Sequence, residues 1–357
     1  MTQERDRAID TIRAVAIGGV VLGHWLVTGL VLGPGGGIET ASPLSALPSF
    51  APVTWVLQTL GLFFFAGGYA AARSRRPLPR RLPRLVLPVA GFGALWTVAL
   101  LVAAVAGVPG VTLDTVGRLV VSPLWFLLPF VGLLALTGPL RRAGPAAAIP
   151  AVAVVALADA GLGWLPLTVL AAWLVPYTLG MALATGRLTG RGTGVAMLVC
   201  GAAAMAVLIR WFDYPMSAVG VPGEGRSNLS PPSLFTIALA TAQIGVALLA
   251  RPWLNGRPTP RPVAVLNRAA MPIYLWHQSA LIAVVAGMAW LTAGKPVPGL
   301  HTAPDSLTWV GARMLWFPVF ATVLAAACTV FPGANDRVDT ARRPIGQVGA
   351  AGARGVR

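Results

Sequence analysis

Long apolar runs separated by short polar stretches dominate the chain. They fall near 11–32, 50–72, 85–107, 116–138, 145–161, 165–186, 192–212, 232–250, 270–291 and 307–330. Most approach the ~20 residues with which a helix crosses a ~30 Å hydrocarbon core. The run at 145–161 is the weakest, being short and interrupted by Pro150. Backbone groups in lipid must be satisfied within their own segment, so runs of this length are expected as helices. The ~10-residue alternation of an outer-membrane barrel is not seen. The pattern predicts an all-α fold, a polytopic membrane helix bundle with about ten transmembrane helices.

Composition supports the same class. Hydrophobic residues are 56% of the chain and charged residues 11%, against roughly 25% charged in soluble domains. The mean hydropathy is +0.74. A soluble protein of 357 residues could not hide so much apolar surface behind so few charges.

The charges then predict orientation. With the N-terminus inside, 22 of the 27 Lys and Arg residues fall on cytoplasmic segments, six of them in "RSRRPLPRRLPR". The opposite side keeps Arg118, Arg210, Arg226, Lys295 and Arg313. This bias satisfies the positive-inside rule for an even number of spans with both termini in the cytoplasm and the chain in the plasma membrane. The net charge of +16 is therefore explained by topology and contact with anionic lipids, and requires no nucleic acid. Arg118, Arg210 and Arg313 are expected near outer span ends, chiefly as interfacial anchors.

The first span resembles a secretory signal in having arginines before an apolar stretch. Its run exceeds the usual 7–15 residues and no small-residue cleavage site follows, so it is expected to be retained. Cys200 and Cys328 each lie within a span and the three histidines are scattered. No structural disulfide and no metal site are expected. One domain occupies 5–332, with a tail over 333–357 poor in apolar anchors and expected to be disordered and cytoplasmic. The outside loops 33–49 and 213–231 are rich in Gly, Pro and Ser, and no internal repeat is seen.

Within the first span, "RAVAIGGVVLGHW" places Arg13 and His24 eleven residues apart. At 3.6 residues per turn they share a face within ~20°, separated by ~16 Å along the axis. Asp10 and Thr28 fall near the same stripe, with Ile17, Val20 and Val21 between. A membrane helix carries its polar groups on one stripe when that stripe faces the interior of a bundle. Gly18, Gly19 and Gly23 would let neighbouring helices approach. For His24, an interhelical hydrogen bond and a proton-transfer role are both compatible with the pattern. Imidazole is the side chain suited to acid–base work near neutral pH. Arg13 lies at the cytoplasmic boundary, where snorkelling and anion binding compete. Asp10, one turn before Arg13, is expected to pair with it.

These residues carry a family resemblance. "DTIRAVAIGGVVLGHW" resembles the opening helix of membrane acyltransferase family three, whose hallmark is Arg-x10-His. "LFFFAGGYAAARS", "RRLPRLVLP" and "SPLWFLLPFVGLL" resemble the segments that follow in that family's order. "RSNLSPPSLFTIALATAQIG" and "MPIYLWHQSALI" resemble later segments common in actinobacterial members. Gly67 stands where many members have serine, and no acidic residue matches the family's Ser-x-Glu-type segment.

The resemblance, covering about residues 5–330, implies transfer of an acyl group, usually acetyl, from cytoplasmic acyl-CoA. The acceptor would be a hydroxyl on a sugar, a lipid-linked glycan or a secondary metabolite. No cofactor would be held permanently; acetyl-CoA would be a co-substrate. His24 would be the general base. Arg13 with Arg80, Arg81 and Arg84 would receive the CoA phosphates, for which arginine forks are suited; the same cluster is also a topology signal. Trp125 is expected in packing or as a wall for the donor arm, and His277 is a second polar candidate. A transporter or flippase for a glycolipid or small metabolite is the rival class, although paired Gly/Pro breaks in two halves are not seen. No Ser-His-Asp arrangement or Gly-x-Ser-x-Gly elbow is present.

Overall fold

The computed structural model describes residues 6–33, 35–74, 79 and 82–331, with Arg84 described by its backbone alone. The tail expected at 333–357 lies outside them. The described chain is a helical bundle, in agreement with the apolar pattern. Among the described residues, nine helical stretches are long and apolar enough to cross a membrane. One of them, Gly110–Leu162, runs for 53 residues, or ~80 Å at the helical rise. It holds two of the expected runs and folds back at Gly144, whose φ of 66° favours glycine.

Helix α1 spans Arg7–Val27, with the Asp6 carboxylate accepting from the Ile9 N–H as its N-cap. The apolar run was expected to stay helical to residue 32. Instead the chain turns at Thr28 and Gly29–Leu32 forms β1, antiparallel to β2 at Ile38–Ala41. β-branched residues and flanking glycines favour this hairpin over another helical turn.

After a short α2 (Pro43–Ala46), the expected 50–72 helix is also broken. It becomes α3 (Val53–Leu57) and α4 (Leu60–Arg73), with Gln58 and Thr59 between. Both side chains supply what the broken helix lacks. Gln58 Oε1 accepts from the Leu60 N–H at 2.9 Å, and Thr59 Oγ1 donates to the Ala16 carbonyl at 2.8 Å. Glycine is required on the facing side, because a Cβ at Gly19 would overlap the Thr59 side chain.

The remaining helices are α5 (Leu82–Val105), α6 (Gly110–Val121), α7 (Leu127–Ala143), α8 (Ala148–Leu157), α9 (Leu165–Ala184) and α10 (Arg191–Trp211). They are followed by α11 (Leu234–Asn255), α12 (Arg261–Arg268), α13 (Ala270–Leu291), α14 (Leu307–Leu315) and α15 (Phe317–Val330). α1 is central, packed on α4, α11, α12 and α13, while α9 packs on α4 and takes both α7 and α8. The α4–α9 crossing is close enough that a Cβ at Gly68 would collide with the Tyr177 carbonyl, and one at Gly180 with that of Phe65.

One end of the bundle gathers the basic segments. Arg251 pairs with Asp6 at 2.8 Å, Arg7 donates to the Arg257 carbonyl at 3.3 Å, and Asn267 to the Asp10 carbonyl at 2.7 Å. Arg141 caps α4 through the carbonyls of Ala71, Ala72 and Ser74 at 2.8–3.0 Å. These arginines tie helix ends together as well as marking a face.

Asp6 gives this end a pH dependence. Burial alone would raise its pKa, but the Arg251 hydrogen bond and charge outweigh it, helped by the Ile9 N–H and the Tyr69 hydroxyl. The net result is a carboxyl held below its ordinary value. A depressed carboxylate stabilises the fold above its unfolded pKa, and that contribution is lost as pH falls through the folded value. Thermal unfolding in detergent should therefore show stability falling below about pH 4. Asp6→Asn should be less stable at neutral pH and flatter through the acid window; parallel wild-type and variant curves would remove Asp6 as the cause.

Candidate active site

The opposite end of the bundle holds His24, about 25 Å along α1 from Arg7 at 1.5 Å per residue. Its ring opens into a cavity of about 1330 Å³. The lining of that cavity is drawn from several helices and loops. Leu82, Leu85 and Val89 line it on the first turns of α5, next to the arginine-rich segment. Val219, Gly220 and Ser230 line it in the loops at the other end. His24 lies between, with Val20, Gly23, Val27 and Thr28 of the same helix face. The stripe read from the sequence therefore faces a cavity at its upper half.

Gln278 of α13 is the direct partner of His24, its amide nitrogen 3.1 Å from Nδ1. Tyr274, one turn earlier, also lines the cavity, held edge-on to Phe126 with ring centroids 4.5 Å apart. His277 stands behind them, its ring 5.2 Å from that of His24 and wholly buried. Its Nδ1 donates to the Tyr274 carbonyl at 2.8 Å, and its own carbonyl accepts from Trp25 Nε1 at 2.9 Å. His277 thus supports the site from behind and does not line the cavity. Among the described residues, the buried Tyr274 hydroxyl, His277 Nε2 and Gln278 Oε1 have no hydrogen-bond partner. Three such atoms beside one imidazole mark a place built for polar chemistry rather than for packing.

Trp125 lies in the turn between α6 and α7 and is part of the cavity wall, its ring 6.2 Å from Trp173. Phe64 stacks on Trp173 at 4.8 Å and meets Phe126 at 6.3 Å, so the wall is an aromatic block. Arg13 is exposed on α1 and does not line the cavity; Asp10 acts electrostatically on it from one turn earlier. Arg80 and Arg81, and the side chain of Arg84, lie outside the described residues.

Arg313 differs from its expected place. It is 0% exposed and is no interfacial anchor. Nε donates to the Trp25 carbonyl at 2.7 Å, Nη1 to Gly299 at 2.9 Å, and Nη2 to Thr28. Trp25 and Thr28 end α1, so Arg313 closes the helix turn that carries His24, and a cation at a helix C-terminus is favourably placed. By contrast, Arg118 is exposed and pairs with Asp114 at 2.8 Å. Sequence reasoning missed Gln278, Gln58 and the burial of Arg313. The adjacent polar pair in "YLWHQS", within an apolar span, was the available signal for Gln278.

A helix bundle with an imidazole on an internal cavity defines a class broader than one chemistry, and comparison with known proteins narrows it. The family model of the acyltransferase domain matches residues 6–332. The chain belongs to acyltransferase family 3 and is a membrane O-acyltransferase. No curated protein and no solved structure matches it.

Proposed function

We propose that the protein is a plasma-membrane enzyme moving an acyl group, acetyl in the simplest case, from cytoplasmic acyl-CoA to an acceptor hydroxyl, with His24 as general base. Both termini and the arginine-rich end face the cytoplasm. The observation that carries this reading is the continuous cavity from the first turns of α5 to the far loops, with His24 on its wall. A thioester arm entering beside Leu82 would reach the imidazole without crossing packed side chains. Arg13, with Arg80, Arg81 and Arg84 next to Leu82 in the sequence, would receive the CoA phosphates in this reading.

In the reaction, His24 takes the hydroxyl proton as the acceptor oxygen attacks the thioester carbonyl. The tetrahedral adduct collapses, the C–S bond breaks, and the thiolate leaves with the proton returned by His24. Ester and free CoA are the products. Assistance of this kind contributes roughly 10²–10⁴-fold.

Gln278 matters because it selects the tautomer. Nε2 acts as base only if Nδ1 carries the hydrogen, which then needs an acceptor. Turning the Gln278 amide supplies one, and also gives the buried Oε1 its missing partner. Gln278 is a positioning residue in this reading.

The test is release of CoA thiol from acetyl-CoA by the purified protein in nanodiscs, with a hydroxyl acceptor present. Thiol release without acceptor consumption, or none across a broad acceptor panel, would overturn the reading. In the same assay Gln278→Leu should lower kcat about tenfold, less than loss of the base itself because the imidazole remains, with KM for acetyl-CoA unchanged. Gln278→Glu should restore most of the rate, since a carboxylate also accepts from Nδ1–H. Equal rates in all three proteins would remove Gln278 from the mechanism.

A further inference from the structure

The cavity wall also bears on what the acceptor is. Among the described residues, no Asp, Glu, Lys or Arg lines it. Apart from the imidazole of His24, its polar side chains are hydroxyls and amides, such as those of Thr28, Thr54, Gln58, Ser122, Tyr274 and Gln278. A charged acceptor buried here would lose its hydration with no ion partner, which costs far more than burying a hydroxyl that finds a hydrogen bond.

The flank of the cavity adds a second observation. Val86 on α5, Val121 at the end of α6 and Leu128 at the start of α7 all line it, yet are 50%, 62% and 79% exposed. These apolar side chains belong to spanning helices, so the surface they share with the exterior is hydrocarbon. These residues make an exposed apolar flank of the cavity, between α5 and the 121–128 segment. Size is a third. At about 1330 Å³ it exceeds the ≈ 300–1,000 Å³ typical of a site for one drug-sized ligand. There is room for a donor arm and a bulky acceptor together.

We infer that the acceptor is an uncharged alcohol with a mainly apolar body, dissolved in the bilayer, which enters through the flank lined by Val86, Val121 and Leu128. Its hydroxyl reaches His24 while its apolar body stays against α5 and the α6–α7 turn. This deepens the acyltransferase reading and rests on it for the role of His24. It disfavours anionic glycans and sugar phosphates, whose charge has no partner among the described residues of the wall.

Photolabelling tests this without turnover. The probe is a long-chain alkanol with a mid-chain diazirine, presented to the protein in nanodiscs; its phosphate monoester is the charged comparison. The alkanol should form adducts within 20–27 and at Leu57, positions reached from inside the cavity. The phosphate ester should label only outward positions such as Val199 on α10, which is 57% exposed. Val86→Trp with Leu128→Trp, which fills the flank, should lower the inner adducts about tenfold and leave those at Val199 unchanged.

Inner labelling by the phosphate ester equal to that by the alkanol would overturn the inference. So would absence of inner adducts, or inner adducts indifferent to the tryptophan pair. Because CoA release is read separately, turnover without inner labelling would sink the acceptor class alone, and inner labelling without turnover would sink the catalytic reading.

Discussion

Replacing His24 by alanine is expected to lower acyl transfer by about 10²–10⁴-fold while leaving a protein that folds and extracts normally. Both halves have a structural reason. The hydrogen bond the structure gives the ring is to Gln278, at 3.1 Å, and the ring borders a cavity rather than filling a packed core. Loss of the ring therefore enlarges existing space instead of creating a void among close-packed side chains, which is the costly event in a core. Glutamine at this position keeps hydrogen-bonding capacity but cannot take a proton near neutral pH, so His24→Gln should be nearly as inactive as the alanine variant. CoA release measured against thermal unfolding of the same preparations decides it. Turnover near the wild-type rate in His24→Gln would exclude proton abstraction by this residue.

Arg313→Met should be the most destabilising single change near the site. The guanidinium satisfies the carbonyls of Trp25, Thr28 and Gly299 in a place with no solvent exposure. Methionine matches the bulk but leaves three buried acceptors unpaired, each costing about 1–3 kcal/mol. Relief from burying a cation offsets part of this, and a net loss of about 3 kcal/mol is expected. The effect should reach activity, since two of those carbonyls close the helix turn after His24. Arg313→Lys keeps the charge but lacks the fork, and should recover only part of the stability. Thermal shift in detergent reads the first effect and CoA release the second. An unchanged melting temperature in Arg313→Met would mean that the α1 terminus is held by other contacts.

Much of the bundle was legible from the apolar runs because the bilayer imposes one rule on every spanning segment. The expected helices lie close to those found, and the weakest run, 145–161, proved to share one helical stretch with 116–138, interrupted at a glycine. Two departures share a cause. The ends of the first and second runs, at 28–32 and 50–59, read as continuous helix because hydropathy cannot distinguish a buried strand or a side-chain-supported break from a helix in lipid. Leu30 is buried like a core residue, though it belongs to a strand.

For the site, a histidine on an internal stripe of α1 was visible in the spacing of one helix. Gln278 was not, because its meeting with His24 joins residues 254 positions apart. Nor was the burial of Arg313, since an arginine near the end of an apolar run has the same sequence pattern whether it snorkels or turns inward.

The sequence by itself determined which segments enter the bilayer, which ends are basic, and that one helix carries an arginine and a histidine on a common face. Those properties are local, set by hydropathy and the 3.6-residue period. Only the tertiary structure decided what that face meets: a cavity with no Asp, Glu, Lys or Arg among the described residues of its wall, an amide at the imidazole, and an arginine at the helix end that follows it. Such contacts depend on how distant helices cross, and crossings are set by small residues and hydrogen bonds that no single segment encodes.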